Sequence, residues 1–198
     1  MKNHPLRRNT GFTLVELLVV ITIIAILAGA GFAVGLSSIQ KAKKTTALAT
    51  CIAIEAAVNN FYTEYGAMPS TAAADAPPLD TKANLDFLKA LLGTETIATP
   101  LNSRGIKFLS IKDGKSKGAS GGFNGAVYDS TGANLVGIFD PWGGTYSVML
   151  DNDYDESVTP TPKAGGGVKL NGRRAAAWSN GADGVTATGK IADDVKNW

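Results

Sequence analysis

One apolar run limits every fold open to this chain. From Leu17 to Leu36 there are twenty consecutive residues without a charge, and a basic leader (Lys2, Arg7, Arg8) ends shortly before it at Gly11. As a helix rising about 1.5 Å per residue, such a run spans roughly 30 Å, the hydrocarbon thickness of a bilayer. Glu16 is the one charge between Gly11 and Leu36. A carboxylate near the end of a membrane span costs up to about 2.5–3.5 kcal/mol depending on its depth, so it is read as functional and its partner must be found.

Two ordinary readings compete. A secretory signal also begins with cations, but its apolar core is about 7–15 residues long and ends at a small-residue site. Ala28-Gly29-Ala30 fits such a site, yet leaves a long core with an unexplained Glu16. An uncleaved signal anchor ahead of an unrelated domain is the other.

The segment Gly11-Phe12-Thr13-Leu14-Val15-Glu16-Leu17-Leu18-Val19-Val20-Ile21-Thr22-Ile23, continuing to Ala28, resembles the cleavage and methylation segment of type IV pilins and of the pseudopilins of type II secretion systems. The resemblance implies that a membrane prepilin peptidase cuts after Gly11 on the cytoplasmic side and methylates Phe12. The apolar segment is then kept, unlike that of a secretory signal. It also implies that Glu16, fifth in the mature chain, neutralises the terminal amine of a neighbouring subunit. Physically, a charge-assisted pair with an ammonium reduces the penalty of a lone carboxylate in lipid.

Composition narrows the chemistry. The single histidine is His4 and the single cysteine is Cys51. Without the leader no histidine remains, which excludes Ser-His-Asp or Cys-His catalysis and a zinc site of imidazole or thiolate. One cysteine forbids an internal disulfide, so a pilin of the disulfide-looped kind is disfavoured. Cys51, in a helical stretch, reads as a small buried apolar residue. The formal charge of +2 comes from the leader; without it sixteen basic residues face seventeen acidic ones, about −1, and nucleic-acid binding is not expected. Acid pairs hydrolyse glycosides in other proteins, but nothing here positions two carboxylates for it. The chain is not read as an enzyme.

The helix beginning at Phe12 is expected to continue past the apolar run. Cys51, Ile54, Val58, Phe61 and Tyr65 recur at helical steps, with Leu48 extending the stripe backwards, and Gly66 and Pro69 are stop signals. A helix from 12 to 65 is roughly 80 Å long. Gly31 and Gly35 have the GxxxG spacing that permits close helix approach in a membrane. Four segments result: a cleaved leader at 1–11, a transmembrane and filament-core helix at 12–36, its amphipathic continuation at 37–66, and a globular domain at 67–198. In the last, a short helix is expected over Asn84–Leu92. Strands are expected over Gly105–Ile111, Ala126–Tyr128, Asn134–Phe139, Thr145–Leu150 and Arg173–Trp178, with turn-rich spacers. The fold class is α+β, a long N-terminal helix packed on a small antiparallel sheet.

The C-terminus reads Trp178-Ser179-Asn180-Gly181-Ala182-Asp183-Gly184, then Asp193-Asp194 and a final Trp198. Three carboxylates on a glycine-bearing loop suit calcium, which takes about 6–8 oxygens in flexible geometry, and a small domain without a disulfide gains folding energy from a metal. The segment resembles the calcium loop of the major (G-type) secretion pseudopilin. By position that resemblance implies Asp183, Asp193 and Asp194 as side-chain ligands, with the carbonyls of Asn180 and Ile191 added. A solvated acidic tail held by Trp198 is the alternative. Asp140-Pro141-Trp142-Gly143-Gly144-Thr145-Tyr146 resembles the family's DPWG turn, a structural element with Trp142 covering the sheet. Asp151-Asn152-Asp153-Tyr154-Asp155-Glu156 opens like an EF-hand loop, but Glu156 stands where glycine belongs and Pro162 where a bidentate glutamate belongs. It reads as an acidic turn, with a weak cation site as the alternative.

Together the resemblances imply a structural subunit that polymerises into a short type II secretion pseudopilus. It would sit in the inner membrane by a single pass, with its C-terminal domain periplasmic. The partners implied are further copies of itself, the prepilin peptidase and methylase, minor pseudopilins and the inner-membrane assembly platform. The alternative is a type IV pilus subunit serving adhesion, motility or DNA uptake.

Overall fold

A computed structural model describes residues 11–75, 77–117, 121–162, 167–182, 184 and 194–198, without the side chains of 30–36. The chain forms two compact units, Met1–Lys41 and Ala42–Trp198, in an α+β arrangement.

Helix α1 runs from Leu14 to Tyr65. In the first unit every described side chain from Gly11 to Gly29 is exposed. A helix stretch apolar on all sides belongs inside a larger assembly or a membrane, since it has no polar face to turn to water. Among the described residues, no helix is long and apolar enough to cross a membrane. The described side chains stop at Gly29 and resume at Ser37, so the last third of the apolar run, with Gly31 and Gly35, lies outside them.

In the second unit α1 buries Ala47, Cys51, Ile54, Ala57, Val58 and Phe61. Stepping back from Ile54 by three and then four residues reaches Cys51 and Ala47. Leu48, expected in the stripe, therefore points away and is 37% exposed. The helix stops where Gly66 takes a φ of +66° and its N–H returns to Tyr62 O at 2.8 Å, the left-handed C-terminal cap that glycine adopts without strain.

Burial pushes the Cys51 thiol up to about 12, with the nearby Asp140 charge adding to it. As the thiolate is the reactive form, alkylation of the native domain at pH 8 should be at least about a hundredfold slower than of the unfolded chain. Mass-detected iodoacetamide labelling checks this, and equal rates would show that Cys51 is not packed as described.

Helix α2 spans Leu85–Leu92 and buries Phe87, Leu88, Ala90, Leu91 and Leu92. Its C-cap, Gly93, has φ +69°, and a Cβ there would lie 2.6 Å from Gly105 O, so conformation and contact both demand glycine. The next segment, 105–111, is not the strand expected. Phe108 N and Leu109 N both donate to Leu91 O at 2.9 Å, and the Asn102 amide donates to Ala90 O and Ile106 O. Its polar groups are thus spent on the end of α2. Phe108 stacks on Phe61 and Tyr65 instead, with ring centroids 5.3 and 6.0 Å away.

The strands are β1 (Leu79–Asp80), β2 (Lys115–Ser116), β3 (Gly122–Phe123), β4 (Gly125–Tyr128), β5 (Leu135–Phe139), β6 (Tyr146–Leu150), β7 (Ser157–Val158), β8 (Leu170–Asn171), β9 (Ala175–Ser179) and β10 (Val195–Lys196). Instead of one continuous sheet, the described residues form a four-stranded sheet ordered β1-β6-β9-β10 and three pairs, β2-β3, β4-β5 and β7-β8. All these pairings are antiparallel. The last strand of the expected set begins at Ala175 rather than Arg173, because Arg173 turns its guanidinium to Glu55 Oε1 at 3.1 Å.

The central sheet is covered on both faces. Tyr146, Val148, Leu150, Ala175 and Ala177 join the main core with α1 and α2, whereas Met149, Ala176 and Trp178 form a second cluster with Val158. Side chains alternate along a strand, so burial on both faces explains why Ala-Ala-Ala-Trp-Ser shows no polar alternation.

Candidate functional sites: the N-terminal segment and the C-terminal loop

The N-terminal site is built by the start of α1. Gly11 and Phe12 precede the first helical turn, Phe12 is 78% exposed, and nothing lies within 4 Å of where a Gly11 Cβ would be. Both residues of the Gly11–Phe12 peptide are exposed. Thr13 is the N-cap: its hydroxyl accepts Glu16 N–H at 3.2 Å, while its own N–H and hydroxyl donate to Glu16 Oε2 at 2.8 and 2.7 Å. This reciprocal capping box satisfies donors that a helix start leaves without partners. The Thr-x-x-Glu spacing is legible in the sequence, but Glu16 drew attention there only as an isolated charge. In the intact chain it already has a partner in its own first turn.

The C-terminal loop is closed at its base by the sheet. β10 pairs with β9 through Val195↔Ser179 and Lys196↔Trp178. Asn180 and Asp194 are the next residues on each side, so these two expected ligands, both half-buried, are brought together. Asp183, Ile191 and Asp193 lie outside the described residues. The tail beyond is tied down at several points. The Trp198 ring meets Trp178 edge-on, with centroids 5.8 Å apart. Asn197 donates to Glu55 Oε2 at 2.8 Å, and Arg173 bridges Glu55 Oε1 and Asn197 O, both at 3.1 Å. The tail of the chain is thereby fastened to α1.

The DPWG turn connects β5 to β6 around the Asp140 carboxylate. Oδ1 accepts the N–H groups of Trp142, Gly143 and Gly144 at 2.9, 2.8 and 2.8 Å. Oδ2 accepts the Ser179 hydroxyl at 2.6 Å, and Ser179 Oγ accepts Gly181 N–H at 3.1 Å. A Cβ at residue 144 would lie 2.8 Å from Asp140 Oδ2, so a side chain there would push the carboxylate off its donors. Trp142 is half-buried against the main core. The motif is a structural turn, and through Ser179 it reaches the base of the C-terminal loop.

The acidic turn after β6 gathers a residue that sequence reading did not connect to it. Carboxylate oxygens of Asp75, Asp151 and Asp153 lie within 4.8 Å of one another, and Asn152 N–H donates to Asp75 Oδ1 at 2.8 Å. Burial, then the Asp153 and Asp75 carboxylates, hold the Asp151 carboxyl above the usual range. No sequence signal marks Asp75, one of two acids in the Ala/Pro-rich loop Ser70–Asp80.

No curated protein and no solved structure matches the chain. The family model for the prokaryotic N-terminal methylation motif matches residues 6–32. Those residues include the Gly11–Phe12 bond, the Thr13–Glu16 capping box and most of the apolar run. The chain carries a type IV pilin-like prepilin signal at its N-terminus.

Proposed function

We propose that this chain is a structural, non-enzymatic subunit of a type II secretion pseudopilus. The prepilin signal ahead of an α+β domain supports this reading most strongly. The prepilin peptidase cuts after Gly11 and methylates Phe12. The apolar segment from Phe12 to Leu36 holds the subunit in the inner membrane by a single pass and then forms the filament core. Glu16 exchanges its Thr13 contacts for the Phe12 amine of the next subunit. The domain from 67 to 198 faces the periplasm, where growth of the filament from the assembly platform, with minor pseudopilins, assists export across the outer membrane.

Calcium belongs to the same reading. Asp183, Asp193 and Asp194 supply carboxylate oxygens, and Asn180 and Ile191 supply carbonyls, a donor set that suits a hard cation. The juxtaposition of Asn180 and Asp194 at the loop's base supports it. Binding to the folded state alone adds about 2.7 kcal/mol when free calcium is a hundred times the dissociation constant. The melting temperature of the fragment from Ser37 onward should therefore rise by several degrees with calcium and fall back with chelator, and Asp193→Ala should abolish the rise. A melt insensitive to calcium in the parent would reduce the loop to a solvated tail and favour the pilus-type alternative.

A further inference from the structure

Two segments of the domain each carry charges of mainly one sign. Segment 104–117 carries Arg104, Lys107, Lys112, Lys115 and Lys117 against the single acid Asp113, all exposed. Segment 151–156 carries Asp151, Asp153, Asp155 and Glu156 with no cation, and Asp75 folds against it. Some members have partners within the domain. Arg104 pairs with Glu64, Lys117 lies over the Phe123 ring at 5.3 Å, and Asp155 meets Lys169 at 3.4 Å. Lys107, Lys112 and Lys115 on one side, and Asp153 and Glu156 on the other, remain presented to solvent.

The basic segment runs along α1: Arg104 and Phe108 lie at the helix end, against Glu64, Phe61 and Tyr65, and Lys112 lies further back. Ile111 and Lys112 line a groove with Thr46, Thr50 and Ala53. The acidic turn is fastened to the far end of the helix. Tyr154 stacks on Tyr62 at 6.2 Å, and its hydroxyl accepts Met68 N–H at 3.2 Å. From Thr50 to Tyr62 is about 18 Å along a helix, which sets Lys112 apart from the acidic turn within one molecule.

We propose that the acidic turn of one copy, Asp153 and Glu156 with Asp75 behind them, docks on the Lys112 and Lys115 side chains of a second copy. The repulsion among the clustered carboxylates is relieved when a neighbour's ammonium groups arrive, and the opposite signs set the register of the contact. Because the two surfaces differ, the contact is heterologous, head-to-tail, which is the kind of contact a filament repeats. The inference rests on the filament reading above and names surfaces of the globular domain that contribute to assembly beside the apolar helix.

The test uses the full-length chain assembled in its membrane, prepared as a mixture of unlabelled and nitrogen-15-labelled copies. A water-soluble carbodiimide joins a carboxylate to an amine in contact as an amide, the lost water being taken up as the urea. Mixed-isotope peptides should link Lys112 or Lys115 to Asp153 or Glu156. Reversing one side, Asp153→Lys with Glu156→Lys or Lys112→Glu with Lys115→Glu, should cut sedimentable assembly by about tenfold or more, and combining both reversals should restore it to within about threefold. Melting temperatures establish that each variant is folded. Folded single-side variants that assemble like the parent, or a combined variant with no recovery, overturn the proposal. Calcium-dependent protection of Asp153 and Glu156 without mixed peptides would assign the acidic turn to a metal ion instead. A parent that never assembles overturns the filament reading and this contact with it.

Discussion

Replacing Asp140 by alanine should destabilise the domain by about 3–5 kcal/mol, a large share of the roughly 5–15 kcal/mol that holds a domain of ordinary stability folded. Asp140 is 1% exposed, and its carboxylate accepts three backbone N–H groups and a hydroxyl. Gly143 N–H keeps a second acceptor in Asp140 O at 3.2 Å, but the Trp142 and Gly144 N–H groups and the Ser179 hydroxyl lose theirs. A buried donor left without an acceptor costs about 1–3 kcal/mol. Asp140→Asn separates this mechanism from a packing defect. Its amide oxygen can still accept the three N–H groups and its NH₂ can donate to Ser179 Oγ, so about 1–2 kcal/mol is expected. Urea unfolding of the fragment from Ser37 measures both. An alanine variant within 1 kcal/mol of the parent would mean that the carboxylate is not what holds the turn.

Glu16→Gln should leave the helix intact and stop the filament. Glu16 has two separable capacities. Within the chain it closes the capping box with Thr13, and glutamine serves at that position as glutamate does. Between chains, in the proposed assembly, its negative charge meets the Phe12 amine, and glutamine has no charge to offer. Glu16→Gln should therefore be inserted and processed like the parent while filament yield falls by well over tenfold, since a charge-assisted bond is about twice as strong as a neutral one and the ammonium is left unpaired. Thr13→Val should do the reverse: it removes the N-cap hydroxyl, costing about 0.5–2 kcal/mol at the helix start, and keeps the charge. Quantified filaments from cells making each variant decide the matter. Normal filaments from Glu16→Gln would refute the charge-pairing role.

What could be read from the sequence was what neighbouring residues decide. The start of α1 depends on a cap and a residue three positions later, its buried stripe on the 3.6-residue period, and its end on Gly66. Each lies within a few residues of its cause. The same holds for α2 and for strands β4, β5 and β6, where runs of apolar residues stand between turn signals. The Leu48 error was local as well, a stripe followed one residue off its rotation.

Pairings between distant segments were left to the tertiary structure. Segment 105–111 has the composition of a strand, yet its N–H groups found the end of α2 before any strand edge. Residues 75 and 151, 140 and 179, and 55, 173 and 197 meet across gaps that no periodicity spans. Strand partners and buried polar contacts are selected by which surfaces the packed core brings within about 3 Å, a condition set by the whole chain at once. The sequence by itself determined the apolar N-terminal helix with its prepilin signal and the α+β class. The folded domain alone decided that the base of the C-terminal loop is joined to the DPWG turn through Ser179 and to α1 through Glu55, because hydrogen bonds act only between groups that folding has already made neighbours.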